Sequence, residues 1–324
     1  MTKKTKPKIK LGFTESISLV FAVFLFALLL KNSTLASAEV SRALSVCANM
    51  LIPSLFPLTV ASEILTNIGA IEKLTKKIST PISRILGVSK SATVPYFLGL
   101  FGGYTSSCKS AVLLYQNGKI SKDDCESIIA LSNMPSLAFM TGFIGIGVFQ
   151  STSIGWILWI ITVISSIALG LLNNLFFKKR SSFYKPSADK YKRQISFSRT
   201  VVDSIAHSGY AMLIICACVV FFSVLISVLK LYLNQSILSE NIKNIVLGTL
   251  EITNGITACT SIKNTFHRAL ACSFLVGWSG LCVHFQVIAL CEDADISFRK
   301  YFIFKALQGI ICTLLAFVAF SFKF

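Results

Sequence analysis

The sequence predicts an all-α, polytopic membrane protein of two inverted-topology halves, with broken or re-entrant helices and about seven to nine membrane-embedded segments. Composition comes first: 54% of the residues are hydrophobic, only 14% are charged, and the mean hydropathy is +0.71. A soluble domain carries roughly 25% charged residues and about 45–50% apolar ones, so lipid must absorb the excess. The apolar residues also gather in runs of about 20 residues, the length of a membrane crossing. Finally, the charges collect between these runs. The net charge of +17 is concentrated in a tail with five lysines among the first ten residues and in the segment Lys178 to Arg199. Basic clusters flanking apolar runs mark cytoplasmic segments, and that placement argues against a nucleic-acid partner.

Taken in order, residues 1–12 form a basic cytoplasmic tail and residues 13–177 the first membrane half, with its core at 48–149. Phe13 to Leu30 is the first span. Ala36-Ser37-Ala38 also fits a signal-peptide cleavage site, but Ala36 to Cys47 reads as a short amphipathic helix leading into the span Ala48 to Gly69, which needs no cleavage. Lys73, Lys76, Lys77, Arg84 and Lys90 return the chain to the basic side. Thr93 to Tyr115 is broken at Gly102-Gly103, Ile128 to Phe149 at Asn133-Met134-Pro135, and Ile154 to Phe177 is continuous. Lys90 and Lys178 should lie on one side, so one of these stretches must be a re-entrant hairpin with its glycines or proline at the tip. Irregular backbone at membrane depth is tolerated only inside protein or along a cavity. The basic linker 178–199 then leads to the second half, 200–324, with apolar stretches at Ala206–Tyr232, Ile242–Ala258, Ala269–Cys291 and Tyr301–Phe320.

The halves echo one another. Gly102-Gly103-Tyr104-Thr105-Ser106-Ser107-Cys108-Lys109 aligns with Gly277-Trp278-Ser279-Gly280-Leu281-Cys282-Val283-His284, each a glycine/serine break inside an apolar stretch. Broken helices at corresponding places of inverted halves point to a binding site near the bilayer midplane. Small residues that merely let helices pack closely would leave the same trace.

Four ionisable residues are identified inside apolar stretches: Glu63, Lys109, Glu251 and His284. A charge at that depth costs on the order of 2.5–3.5 kcal/mol and normally faces the protein interior with a partner. Glu251, Asn254, Lys109, His284 and Gln286 are therefore expected to approach one another around a polar cavity, although a purely structural Lys109–Glu251 pair fits as well. Glu63 fits a place near the interface. Gly102, Gly103, Ser106, Ser107, Asn133 and Ser279 complete the candidate solute site, as ligands or as partners of backbone groups freed at the breaks. The ten cysteines show no metal-ligand spacing and read as small buried hydrophobes. No metal site and no cofactor are expected.

Several motifs carry a family resemblance. Pro53-Ser54-Leu55-Phe56-Pro57 with Ser62-Glu63, Gly103-Tyr104 to Lys109, Asn117-Gly118 to Ser121, Leu250-Glu251-Ile252-Thr253 and Trp278-Ser279-Gly280-Leu281 with His284 and Gln286 resemble sporulation integral membrane proteins of the YlbJ type. The resemblance runs from about Ala36 to Ala316. It implies the nucleoside-recognition (Gate) group, shared with concentrative nucleoside transporters and spore maturation membrane proteins. It further implies an endospore former's cell membrane, the mother-cell membrane during sporulation, and a role in spore cortex formation or maturation. It implies no known solute. Thr105-Ser106-Ser107-Cys108 stands where the family usually carries Pro-Met-Gly-Ala, and Asn133-Met134-Pro135 where Ser-Gly-Pro is expected, so ligand identity does not carry over.

The function expected is recognition or transport of a small polar solute, nucleoside-like or other, with the alternative of a non-transporting scaffold or assembly factor. No His-Glu-x-x-His or Gly-x-Ser-x-Gly motif is present, and an enzyme is not expected. The lipid bilayer is the expected partner, beside the unknown solute. A coupling ion and an oligomer are compatible with the sequence.

Overall fold

A computed structural model describes residues 13–68, 77–177, 196–233, 239–292 and 294–322. The basic tail 1–12, Lys73, Lys76 and the linker up to residue 195 lie outside the described residues. Among those described, all regular structure is helical.

The first half opens with α1 (Phe13–Lys31), which turns by 92° at Asn32 into α2 (Ser33–Val46). A π turn, Cys47–Leu51, joins α2 to α3 (Ile52–Asn67). Pro53 lacks the N–H that would continue the helix ladder, and the wider turn just ahead of it absorbs the missing bond. After α4 (Ser79–Leu86) come α5 (Thr93–Gly102) and α6 (Tyr104–Gln116).

These two helices are the arms of a hairpin. Gly99 faces Ser107 across it, and the reversal falls at Gly103, whose φ of +79° favours glycine. The Ser89 N–H donates to Asp124 Oδ1 at 3.1 Å, so the chain entering α5 starts beside the first turn of the helix that follows α6. The arms therefore begin and end on one side, as the charge parity of the sequence requires of one stretch.

That next helix, α7 (Lys122–Ser132), is started by Ser121, whose hydroxyl accepts from Asp124 N at 3.1 Å. It breaks at residues 133–136 and resumes as α8 (Phe139–Phe149). Pro135 cannot donate there, and Ser136 Oγ accepts from Phe139 N at 3.2 Å to restart the helix. The half closes with α9 (Thr152–Leu172), extended by a π turn to Phe177.

The second half repeats the plan. α10 (Phe197–Leu233) leads to a second hairpin, α11 (Glu240–Gly248) and α12 (Ile252–Ala258), reversing at residues 249–251. Gly248 and Gly255 lie against one another across it, and Asn244 Nδ2 reaches Ser261 Oγ at its base. A second broken span follows: α13 (Thr265–Trp278), the break Ser279-Gly280, and α14 (Leu281–Leu290), continuous enough to form one apolar span Thr265–Leu290. α15 (Arg299–Ser321) completes the half.

The halves run in opposite directions. Glu63 near the end of α3 meets His207 near the start of α10, whereas Asn254 links Arg42 of α2 to Ser223 further along α10. Likewise Arg268 at the start of α13 donates to the carbonyl of Val148 at the end of α8. The hairpins thus enter from opposite ends and their tips meet in the middle.

This corrects the repeat proposed from sequence. Gly102–Lys109 is the tip of a reversal, whereas Gly277–His284 is a break in a continuing span. The partner of Gly103 is the tip at Glu251, and the partner of Ser279-Gly280 is the break at 133–136. Glycine and serine mark both kinds of break, because both need backbone without side-chain bulk.

By length and composition, four described helices can cross a membrane, and five when the bent α1–α2 pair is counted. They include α9, α10, the span Thr265–Leu290 and α15. Large apolar residues along α1, α10 and α15, such as Phe24, Leu213 and Leu314, are exposed, as hydrocarbon-facing surfaces require.

Candidate functional site

Each hairpin tip rests on the broken span of its own half. A Cβ on Gly103 would lie 3.1 Å from Ser136 N, and one on Gly280 would lie 3.0 Å from Ile252 N. Both contacts are backbone on backbone. In the second half they become hydrogen bonds: Leu281 N and Cys282 N donate to the carbonyls of Thr249 and Leu250, each at 2.9 Å, and Trp278 Nε1 donates to Thr249 O at 3.0 Å. These bonds satisfy two of the N–H groups that the start of α14 would otherwise leave open.

Between the tips lies a cavity of about 70 Å³, walled by Gly102, Gly103 and Ser136 on one side and Glu251, Thr253 and Gln286 on the other. Glu251 is buried and caps α12: its carboxylate accepts from Thr253 N at 2.8 Å, Asn254 N at 2.7 Å and Asn254 Nδ2 at 2.8 Å. A negative group at a helix N-terminus answers both the open donors and the helix dipole. Asn254 sits behind it, bonded by Arg42 and bonding Ser223.

A second, larger cavity of about 510 Å³ adjoins the first, and Thr59, Thr105 and Ile215 line both. Lys109, exposed on α6, lines this vestibule with Ser106 and Gln116. Across it, Glu63 takes hydrogen bonds from His207 Nδ1 and Ser208 Oγ, both at 3.1 Å. Together the cavities make a path from one face of the bundle to the meeting point of the tips.

Of the five polar residues expected around one cavity, only Glu251 and Gln286 line it. Lys109 belongs to the vestibule, and no ion pair joins it to Glu251 among the described residues. The reason is helical phase: two turns past the tip, the α6 face carrying Lys109 looks outward along the arm. Ser107 is buried against Ser132, and Ser279 reaches back 3.4 Å to the carbonyl of Val276. Both serve helix packing and breaks and line neither cavity.

Asn133 and His284 lie in a buried network that the sequence reading missed. His284 Nδ1 bonds Tyr301 Oη at 2.7 Å, and Tyr301 Oη donates to Asn133 Oδ1 at 3.3 Å. Lys305 Nζ donates to the Asn133 carbonyl at 2.7 Å and to Gln308 Oε1 at 2.8 Å. Lys305 and Gln308 are wholly buried. A signal was present: Tyr301, Lys305, Gln308, Cys312 and Ala316 fall at helical spacing on one face of α15, and all are buried. The cysteines are free thiols, with Cys108 and Cys291 in contact at 3.3 Å between α6 and the end of α14.

Over 325 aligned residues, 90% of this chain and 79% of the relative, the sequence is 25% identical to the sporulation integral membrane protein YlbJ of Bacillus subtilis (strain 168). This similarity supports membership of the YlbJ-type membrane proteins. The likeness to YlbJ takes in both hairpins and both broken spans, since so little of the chain falls outside it. No family model matches the chain, and no solved structure matches it.

Proposed function

We propose that this chain acts in sporulation as a multi-pass protein of the bacterial cell membrane, and that it takes up or passes a small polar solute between its two hairpin tips. The observation that carries the reading is the pair of inverted hairpins ending on two broken spans around a small cavity, where Glu251 and Gln286 stand on a mostly apolar wall and which continues into a vestibule. Exposed half-helix ends near the midplane supply donors and acceptors without a charged side chain in lipid. The relative's designation as a sporulation protein supplies the process. A role in spore cortex formation or maturation, in the mother-cell membrane, and kinship with the nucleoside-recognition group follow from the same reading.

The inner cavity of about 70 Å³ has room for little more than water. A nucleoside-sized solute is received in the vestibule and enters the tips only when they part. Lys119 and Lys122 follow the vestibule-lining end of α6, and Lys90 is next to Ser89, which bonds Asp124 there, so this end is assigned to the cytoplasm, together with the N-terminal tail. The reading is non-enzymatic.

The test is a thermal-shift screen of detergent-purified protein against nucleosides, nucleobases, amino acids and cell-wall precursors, with Lys109→Ala in parallel. A stabilising compound whose effect is lost in the variant supports the reading and names the solute class. Stabilisation by nothing in the panel, with folded protein, overturns it in favour of a scaffold that contacts partner proteins.

A further inference from the structure

The first break ends α7 at Asn133, where Pro135 and the extended backbone leave carbonyl oxygens with no helical N–H to meet. The C-terminal end of a helix also carries a partial negative charge. Breaks of this kind in membrane proteins hold cations on their freed carbonyls. Here the position is taken by a side chain. Lys305 Nζ, on α15, lies 2.7 Å from the Asn133 carbonyl and 2.8 Å from Gln308 Oε1, with the residue entirely buried. Ser165 supports the far side, receiving Gln308 Nε2 at 3.4 Å and Cys312 Sγ at 3.2 Å. Ser166 Oγ donates to a second carbonyl of the same helix end, Leu131 O, at 2.6 Å.

The corresponding end of α13 is treated differently. Ser279 N donates to Leu275 O at 2.7 Å and Ser279 Oγ reaches Val276 O, both neutral donors of the break itself. Among the described residues, only the first break receives a lysine, and it comes from the other half of the chain. Both ligands of the ammonium are neutral oxygens, the set that an alkali cation would also select.

We propose that the Lys305 ammonium is the resident cation of the first break, and that the tips therefore take their solute with no mobile alkali cation bound there. The inference rests on reading the breaks as the solute site, but its test needs no solute and fails independently of that reading. A tethered cation offers no ion-gradient coupling at this break. It keeps the half-helix end neutralised in every conformation that leaves α15 beside α7.

The experiment is thermal unfolding of the detergent-purified chain in sodium, potassium or lithium chloride against N-methylglucamine chloride at equal ionic strength. The wild type is expected to unfold at one temperature in all four. Lys305→Ala is expected to lose roughly 5–10 °C and to recover part of the loss with sodium or methylammonium, which fit the vacated space. Lys305→Gln keeps a donor without the charge, and is expected to be destabilised as well. A saturable, ion-specific stabilisation of the wild type would overturn the proposal. So would a Lys305→Gln protein that melts with the wild type, because the positive charge would then be dispensable. If Lys305→Ala gives no folded protein, the wild-type and Lys305→Gln series decide the matter alone.

Discussion

The two hairpins share a plan and differ in how their tips are held. The first turns on Gly103 with no side-chain cap, so α6 begins with open N–H groups beside the cavity. The second turns on Glu251, whose carboxylate fills the corresponding place on α12. At the breaks the order is reversed: Lys305 donates to the carbonyl end of α7, whereas at the second break Ser279 donates to the carbonyls of α13 and the hairpin's carbonyls accept from the N–H groups of α14. A chain with symmetrical topology thus carries one buried carboxyl group and one buried amine, each on a different element. The second hairpin is the fixed member and the first the plainer one, with less to hold it closed.

That contrast can be broken first at Glu251. Replacing it with alanine strips the acceptor from two backbone N–H groups and from Asn254 Nδ2. Each orphaned buried donor costs about 1–3 kcal/mol, so the unfolding temperature in detergent should fall further than for any other tip substitution. Glu251→Gln, which keeps an acceptor, should recover part of the loss. A Glu251→Ala protein as stable as the wild type would show that the second tip is no more fixed than the first.

The glycines come next. Gly103→Ala and Gly280→Ala each force a residue with Cβ into a positive-φ backbone suited to glycine, at a cost of about 1–3 kcal/mol apiece, and each pushes into facing backbone. Similar losses at both would confirm that the two crossings are equivalent in their backbone, whatever their charges. Arg42→Ala should matter less. Its bond to Asn254 Oδ1 is half exposed, and its removal should cost at most about 1 kcal/mol; limited proteolysis of the second hairpin would detect any loosening. The smallest stability effect is expected at Lys109→Ala, within about 0.5 kcal/mol, since it faces an open vestibule. Its signature lies instead in loss of solute-dependent stabilisation.

Much of this fold could be read from residue types alone. Gly102-Gly103, Asn133 to Pro135, the stretch around Glu251 and Ser279-Gly280 all interrupt apolar runs, and each interruption is a real break. What could not be read was which breaks reverse the chain and which continue it, because glycine permits both and the choice is made by packing against another helix. That ambiguity produced the wrong pairing of the repeat. The site was legible in part for the same reason. Glu251 and Gln286 stand where a break brings them to the cavity, but the outward face of Lys109 depends on the rotation of α6 against its neighbours. Lys305 went unnoticed because it lies near the start of an apolar run, where a lysine ordinarily reaches back to the interface; its place on the buried stripe of α15 was the better guide. Arg42 and His207 meet partners more than 140 residues away, which no local pattern encodes.

The bond between Lys305 and Asn133 also spans 172 residues of chain. At a synthesis rate of about 5–20 residues per second, the first break waits roughly 9–34 s after Asn133 is made before its lysine exists. During that interval the first half sits in the membrane with its helix end unanswered, held by lipid, water or the insertion machinery. The completion of the first break is therefore timed by the synthesis of α15, and the first half cannot answer this helix end by itself.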